Sequence, residues 1–313
     1  MADQKRFGPK GCTPDRIPPL EGKTYLITGA TAGAGFEAAR LLLARGASVV
    51  ALNRNAEKSR SAILQLKQEF GDDADVRFVL LDLAVLDSVR QAAAEVLETV
   101  PRIDALICNA AIAQVARREL TVDGFESQLG VNHYGHFLLC GLLFERIDAS
   151  RGRIVVVASE GHKLGLRTIK FDDMNWDSDY NPNHAYSQSK LAQMMFAYGL
   201  QDRVAAAHRN VEVLVCHPGA SKTSLINENA GFATRISWSL MTMTPLVQSA
   251  EKGAYPEVMC ATEAGLTQRA YYGPTGFINF GGPVDQGELG AFAHEKDTVD
   301  RLWEESEKAT SFT

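Results

Sequence analysis

Residues 23–35, "KTYLITGATAGAG", join an apolar, β-branched run directly to a glycine-rich turn, and a helical pattern follows over 35–46. Glycines allow the backbone to approach a ligand, and the first turn of a helix offers free N–H groups and a partial positive charge. This combination favours a bound pyrophosphate, although a tight turn that needs glycine only for steric reasons remains an alternative. The glycines are spaced G-x-x-x-G-x-G, at Gly29, Gly33 and Gly35, and not in the commoner G-x-G-x-x-G pattern.

The same alternation of strand and helix continues downstream. Short apolar runs predict further buried strands at 47–53, 75–82, 104–109, 152–159 and 211–216. Helical patterns lie between them, at 56–71, 86–100, 123–147 and 185–208. Near-continuous apolar strands that alternate with helices indicate βαβ units. We therefore predict an α/β fold of the Rossmann type, a doubly wound parallel sheet with helices on both faces.

The alternation runs from about residue 23 to 216 without a linker or a repeat, which predicts a single dinucleotide-binding and catalytic domain over 22–313. Residues 1–21 are a Pro/Gly-containing N-terminal extension, and either a flexible arm or a strap along the sheet edge fits them. Beyond residue 216 the periodicity is weaker.

Composition excludes several classes of function. A formal charge of −6 and a pI near 5.7 argue against a nucleic-acid partner, which needs a basic face. The longest apolar runs, at 137–144 and 154–158, fall far short of the ~20 residues of a membrane span. Five scattered cysteines without a C-x-x-C pair favour reduced thiols over a metal site. With no apolar signal segment at the N-terminus, we expect a cytoplasmic protein.

The end of the second strand bears on the choice of dinucleotide. An acidic residue there would bind the adenosine 2′-hydroxyl, whereas an arginine accommodates a 2′-phosphate. The sequence reads Asn53-Arg54, with no carboxylate before Glu57. This favours NADP(H) over NAD(H), the alternative being an arginine that is merely solvated at a helix entry.

The segment "HAYSQSKLAQ" (184–193) places Tyr186 and Lys190 four positions apart, one turn of a predicted helix. Tyrosine, with an ordinary pKa of about 10, is a poor base at neutral pH. An ammonium one turn away stabilises the phenolate and lowers that pKa. A single such pair is more often a solvated helix face, so its weight depends on the motifs around it.

Six motifs in this order resemble the short-chain dehydrogenase/reductase family over about residues 22–285. They are "TGATAGAG" (28–35), "NAA" (109–111), "VNHYGHFLL" (131–139), "VVASEGH" (156–162), "YSQSK" (186–190) and "HPGASKT" (217–223). The wording of the third and fifth motifs, and the long stretch between Ser159 and Tyr186, are most similar to the retinol dehydrogenase-like branch. That branch includes reductases of retinoids, aromatic carbonyls and polyketides.

The resemblance implies an oxidoreductase that interconverts a ketone or aldehyde and an alcohol by hydride transfer. Tyr186 would be the general acid/base, and Lys190 its partner and a ligand of the nicotinamide ribose. Ser159 would polarise the substrate carbonyl, with a strand-end cap as the alternative. Asn132 would anchor a water chain that relays the proton, or would only bond the backbone.

Cofactor positions follow from the same motifs. Asp82 would bond the adenine amino group, or cap the next helix. Asn109 would support the sheet, and Thr223 would contact the nicotinamide carboxamide. The chain departs from the family at Ala34, where isoleucine is common, and at Ala111, where glycine is usual. The full set of expected cofactor-binding residues is Thr28, Gly29, Thr31, Gly33, Ala34, Gly35, Asn53, Arg54, Asp82, Leu83, Asn109, Ala110, Tyr186, Lys190, Pro218, Gly219 and Thr223.

In the family the region of about 223–265 is a lid that sets substrate choice. Its large apolar side chains predict a bulky, apolar substrate, although a helix pair packed on the sheet explains them equally. They are Leu225, Ile226, Phe232, Trp238, Leu240, Met241 and Met243.

Other interpretations stay open. A non-catalytic dinucleotide sensor or scaffold could use the same fold, as could an NAD-dependent alcohol dehydrogenase or a sugar-nucleotide epimerase. His133 and His136 are three positions apart and could clasp a metal, but a packing or hydrogen-bonding role is favoured and no metal is expected. We expect a small-molecule partner, and a homodimer or homotetramer paired through the two long helices.

Overall fold

The computed structural model describes residues 6–163, 165–221, 247–287 and 289–312, together with positions 239, 241, 242 and 244. The strands in these residues form one eight-stranded sheet of order β3-β2-β1-β4-β5-β6-β7-β8. Neighbouring strands are parallel except for β7 and β8, which are antiparallel. The strands are β1 (Thr24–Thr28), β2 (Ser48–Asn53), β3 (Val76–Leu80), β4 (Ala105–Cys108), β5 (Arg153–Val157), β6 (Glu212–Cys216), β7 (Tyr271–Pro274) and β8 (Val284–Gly287).

The principal helices cover both faces of the sheet, which confirms the predicted fold. Helices α3, α4, α5 and α7 share one apolar layer, and α1 and α6 share the other. Leu106 and Ile107, neighbours on β4, are fully buried and face opposite layers, as expected of a strand covered on both sides. The helices are α1 (Gly33–Leu43), α2 (Ala56–Phe70), α3 (Leu86–Thr99), α4 (Gly135–Ala149), α5 (Pro182–Ala206), α6 (Ala250–Thr262) and α7 (Lys296–Thr310).

The expected single helix over 123–147 is wrong in detail. A short helical turn, Ser127–Leu129, leads into a π-helical turn, Gly130–Tyr134, and only then into α4. The buried carboxylate of Glu126 starts the first turn by accepting hydrogen bonds from the N–H groups of Gln128 (3.0 Å) and Leu129 (2.9 Å). A π-turn changes the register of the helix backbone, and such turns are frequent at functional sites. This one carries Asn132.

The N-terminal extension is packed along the end of the sheet in its described part. The N–H of Cys12 donates to Val284 O on β8 (2.8 Å), and the N–H of Phe7 donates to the Asp285 carboxylate (3.1 Å). Ile17 and Leu20 are buried in the layer formed by α1 and α6. Of the two alternatives for this segment, the contacts of residues 6–20 are those of a strap.

Helix α7 packs on the face of the sheet that α3, α4 and α5 also cover. Trp303 packs edge-on against Phe137 of α4, with ring centroids 5.1 Å apart, and stacks on Phe196 of α5 at 5.9 Å. Ser306 hydrogen-bonds His133 in the π-turn at 2.7 Å. A dimer that used the outer faces of α4 and α5 would therefore have to include α7 in its interface. In the described part of the chain no helix combines the length and the apolar character needed to cross a bilayer.

Candidate active site

Four predicted catalytic residues lie around the carboxyl ends of β4 and β5. Ser159 follows β5, Asn132 lies in the π-turn, and Tyr186 and Lys190 lie in the second and third turns of α5. Helix α5 begins at Pro182 because proline suits the first helical position and because Asn181 caps it. The Asn181 Oδ1 atom accepts hydrogen bonds from the N–H groups of Asn183 (2.9 Å) and His184 (3.1 Å).

The side chains of Ser159 and Tyr186 both lie against Gly161, after the end of β5. Burial raises the pKa of Tyr186 to about 12, and the nearby Ser159 hydroxyl acts in the opposite direction. A Cβ atom on Gly161 would lie 2.8 Å from the Tyr186 ring and 3.2 Å from Ser159 Oγ. Only a glycine at this position therefore avoids crowding both side chains. The pKa of Tyr186 is therefore raised, and not lowered as its spacing to Lys190 led us to expect, because burial has the largest influence on it.

Lys190 is buried and extends to the end of β5. Its Nζ atom donates to Val157 O (3.0 Å) and to Gln193 Oε1 (2.8 Å). Both partners are neutral oxygens. Burial lowers the pKa of Lys190 to about 7, with Glu257 acting to raise it.

Asn132 ties the π-turn to the segment after β4. Its Oδ1 accepts from the N–H of Ile112 (2.9 Å), while its Nδ2 donates to Ile112 O (3.0 Å) and Ser189 Oγ (2.9 Å). The side chain of Asn132 therefore hydrogen-bonds to the backbone, which is one of the two alternatives that the sequence left open. Its backbone carbonyl accepts from His136 Nδ1 at 2.9 Å.

His136 connects this site to the glycine turn. Because Nδ1 donates to the Asn132 carbonyl, Nε2 accepts from Thr28 Oγ1, 3.0 Å away. Thr28 Oγ1 in turn accepts from the N–H of Ala110 at 2.9 Å. His133 instead bonds Ser306, so the two histidines serve different contacts. Across the described residues no group of three acidic, histidine or cysteine side chains is placed to hold a metal.

The turn between β1 and α1 has the backbone that a dinucleotide requires. Gly29 and Gly33 adopt positive φ values of 72° and 64°. A Cβ on Gly35 would overlap Asn109 Nδ2 and lie 2.5 Å from Gly29 O. Asn109 Nδ2 holds the turn by donating to Thr28 O (2.8 Å) and Gly29 O (3.1 Å). No side chain caps α1, so its first N–H groups remain available to an anion, next to half-buried Thr31 and buried Ala34.

Asn53 and Arg54, the residues expected at the adenosine end of a dinucleotide, lie at the end of β2 and just beyond it. Asn53 Oδ1 accepts from the N–H of Ala30 (2.8 Å), and its buried Nδ2 has no partner among the described residues. Arg54 is exposed and forms no ion pair within the described ranges. Asp82 does not cap α3, whose N-cap is Val85; its carboxylate accepts from the N–H of Ala84 at 3.0 Å instead.

Leu83 is buried under the π-turn, where its carbonyl would meet a Cβ on Gly135 at 2.5 Å. Gly219, after Pro218, has a φ of 66° and lies against Phe280 O. Thr223 and the lid residues Leu225, Ile226, Phe232, Trp238, Leu240 and Met243 lie outside the described residues.

Two buried side chains near the site were not predicted from the sequence. His162 Nδ1 bonds Ser159 O at 2.6 Å and so fixes the backbone of the serine. Glu257 lies on α6 and acts electrostatically on Lys190. The motif "VVASEGH" already contained His162, and its three-residue spacing from Ser159 was the available signal. No motif or local sequence pattern points to Glu257.

Comparisons with known proteins agree with this geometry. The family model for short chain dehydrogenases matches residues 23–171. Human retinol dehydrogenase 13 is 35% identical over 294 residues, covering 92% of this chain and 84% of that protein. Mouse retinol dehydrogenase 14 is 42% identical, but the match spans just under two thirds of its length, 63%. A crystal structure of an uncharacterised protein from Mycobacterium paratuberculosis superposes with a TM-score of 0.77 at 33% identity, covering 96% of this chain and 98% of that one.

The fold and the site define a dinucleotide-binding α/β protein, and the chain belongs to the short-chain dehydrogenase/reductase family. Within the family it falls in the retinol dehydrogenase-like branch.

Proposed function

We propose that this protein is an NADP(H)-dependent oxidoreductase that interconverts a bulky, apolar ketone or aldehyde and the corresponding alcohol. The observation that carries the proposal is the grouping of Ser159 and buried Tyr186 against Gly161, with buried Lys190 one turn further along α5, at the end of the sheet where the glycine turn also lies. The catalytic domain would span 22–313, with a lid at about 223–265 and the N-terminal extension over residues 1–21.

In the direction of reduction, the substrate carbonyl oxygen accepts hydrogen bonds from the hydroxyls of Ser159 and Tyr186. The bound nicotinamide supplies the hydride. As negative charge develops on the oxygen, Tyr186 donates its proton and Ser159 stabilises the charge. A pKa of about 12 keeps Tyr186 in the protonated form at neutral pH, which is the state that a proton donor needs.

The return of a proton to Tyr186 involves the other two residues. Lys190, one turn further along α5, stabilises the phenolate that the transfer leaves behind. The carbonyl group of Asn132 would hold the water through which solvent replaces the proton. The same carbonyl accepts a hydrogen bond from His136 Nδ1, which would restrain its orientation.

Several features suit NADP(H). The pyrophosphate would bind at the uncapped N-terminus of α1, whose glycine turn has no room for a Cβ at Gly35. The 2′-phosphate would lie near the free guanidinium of Arg54, where no carboxylate repels it. The orphaned Nδ2 of Asn53 is a donor at the same place.

The preference for bulky, apolar substrates rests on the composition of the lid segment and on relatives. Relatives in the comparison include retinol dehydrogenases, and also human polyprenol dehydrogenase, which is 32% identical over 251 residues. We extend this chemistry to the present chain as part of the proposal. We also propose a cytoplasmic location, since all five cysteines are unpaired.

The test begins with fluorescence titration of the purified protein with NADPH and NADH. We expect NADPH to bind more tightly, and Arg54→Ala to reduce the preference by about tenfold, the effect of one charge-assisted contact to phosphate. Asn53→Asp is the matched variant, because it retains the acceptor for the Ala30 N–H but adds a negative charge; it should favour NADH. Equal affinities in the wild type would overturn the NADP(H) assignment.

The catalytic assignment is tested with Tyr186→Phe on a panel of large apolar and small polar carbonyls. The variant should bind NADPH normally and lose reduction. Faster turnover of small polar substrates by the wild type would refute the proposed substrate class. Retained NADPH binding with no reduction of any carbonyl by the wild type would favour the sensor or scaffold alternative.

A further inference from the structure

Glu257 is a fully buried carboxylate that the motifs of the family do not include. It lies on α6, a helix that packs against α1 and against β4, β5, β6 and β7. Neither carboxylate oxygen has a hydrogen-bond partner in the part of the chain that the structure describes. Leaving such a group without compensation is costly, so its position calls for a charged neighbour.

The position of Glu257 follows from the helix that carries it. One turn earlier, a Cβ on Gly253 would contact Ser221 at 2.8 Å and Pro218 at 3.6 Å, in the loop that follows β6. Residues i and i+4 share a helix face. Glu257 therefore faces the sheet one turn below this loop, near the carboxyl ends of β5 and β6.

Lys190 reaches the same place from the opposite side of the sheet. Its ammonium bonds Val157 O, and Val157 pairs in register with Cys216 of β6. The thiol of Cys216 is within electrostatic range of both Glu257 and Lys190, and in the described residues no hydrogen bond or ion pair within 4.0 Å joins the carboxylate to the ammonium. The hydrogen-bond partners of Lys190 in the described residues are neutral, and a buried ammonium without an anion is unfavourable.

We propose that Glu257 is a positioning residue for the reaction, the buried counter-ion that holds Lys190 in its ammonium form and thereby acts on Tyr186. This inference rests on the proposed function for its catalytic consequence, but not for the pairing itself. With Lys190 charged, the Tyr186 phenolate is stabilised and alcohol oxidation is favoured; without Glu257, the lysine loses its proton more readily.

The other groups around the pair do not provide this charge. They are Cys260 on α6, Cys216 on β6, Cys108 on β4, His136 on α4 and Tyr186 on α5. Burial lowers the pKa of His136 to about 4 and raises that of the Cys216 thiol, which leaves both neutral near pH 7. Burial raises the pKa of Glu257 to about 8 while the charge of Lys190 lowers it. Glu257 and Lys190 each favour the charged form of the other, in opposition to burial.

The pairing is tested without substrate by NMR of protein carrying ¹³Cε-lysine, with the Lys190 signal assigned through Lys190→Arg. We expect Glu257→Gln to lower the titration midpoint of Lys190 by about one pH unit or more, the effect of removing a close opposite charge. The matched control is Glu251→Gln, a partly exposed carboxylate on the same helix that pairs with Arg40. It should leave the midpoint unchanged. An unchanged midpoint in Glu257→Gln would overturn the proposal.

Two further measurements keep the outcome decisive. Glu257→Asp retains the charge and should keep most of the Lys190 midpoint. If neither variant folds, the wild-type protein alone tests the pairing. The NMR signals of Glu257 ¹³Cδ and Lys190 ¹³Cε should then titrate in shared steps, and a single independent midpoint for each group would refute the pairing.

The second measurement is the pH profile of alcohol oxidation. Glu257→Gln should move the rising limb of this profile to higher pH. Loss of activity in every protein, with the NMR coupling intact, would refute the proposed reaction and leave the pair standing.

Discussion

Replacing Gly35 with alanine should damage cofactor binding more than its single added methyl group suggests. The new Cβ would overlap the side-chain amide of Asn109 and lie 2.5 Å from Gly29 O, a backbone atom that cannot swing aside. The turn must therefore open, or Asn109 must leave. In leaving, Asn109 would lose its bonds to Thr28 O (2.8 Å) and Gly29 O (3.1 Å).

The size of the effect follows from these contacts. Overpacking costs roughly 1–3 kcal/mol, and each hydrogen bond lost adds about 1 kcal/mol. We expect the free energy of unfolding to fall by roughly 3–5 kcal/mol, the cost of overpacking plus that of the two lost bonds, measured by urea denaturation. We also expect the Kd for NADPH, measured by fluorescence titration, to rise at least ~10-fold, because a turn that opens by a few tenths of an ångström misplaces the N–H groups that face the pyrophosphate.

Gly281→Ala is the control. Among the described residues its added Cβ would meet only Gln248 Oε1, at an ordinary 3.5 Å, and Gly281 has no positive φ. That variant should bind NADPH like the wild type. If Gly35→Ala folds and binds NADPH within twofold of the wild type, the close approach at this turn does not serve the cofactor and the reasoning fails.

Two other changes separate chemistry from stability. Ser159→Ala should lower kcat for carbonyl reduction by about 10²–10³, the effect of losing one donor to a developing oxyanion, with NADPH affinity unchanged; a loss below threefold would contradict the role of the serine. Burial alone would raise the pKa of Asp104, but hydrogen bonds from Arg102, the Thr24 N–H and Lys23 outweigh it and hold the pKa below its usual 3.8. A lowered pKa contributes stability above pH 3.8 that is lost as the pH falls further. Asp104→Asn should therefore lower the melting temperature at pH 7, and calorimetry at decreasing pH should show the difference closing below pH 3.8; a constant difference would refute this.

The first two thirds of the fold could be predicted because its signals are local. Each of the six strands predicted from short apolar runs is present, within one or two residues at its ends, and α2 and α3 begin at the residues where helical periodicity begins. The sheet then brings the ends of parallel strands to one edge, which is why residues as distant as Gly29 and Ser159 approach the same site. The local sequence pattern and the topology of a parallel sheet were therefore sufficient to predict these strands and the edge at which the site lies.

The remainder depends on tertiary contacts that no window of sequence contains. The π-turn at Gly130–Tyr134 reads as an ordinary helix, because its register is held from outside by the bond between His133 and Ser306, 173 positions away. Helix α6 contains Pro256 and has little apolar periodicity, since the face that it buries against the sheet includes a carboxylate. Strands β7 and β8, four residues each, are too short for a periodic signal.

For Tyr186 and Lys190, the spacing in the sequence was not sufficient to predict the pKa values of the two side chains. The spacing predicted that an ammonium would lower the pKa of the tyrosine, yet the burial that builds the site disfavours charge on both side chains. A protonated tyrosine can donate a proton to a carbonyl oxygen, but a neutral lysine would not stabilise the phenolate that results. The carboxylate of Glu257 opposes this effect of burial, because it favours the ammonium form of Lys190. The direction in which the enzyme works best at a given pH would then depend on Glu257, a residue outside every motif by which the family is recognised.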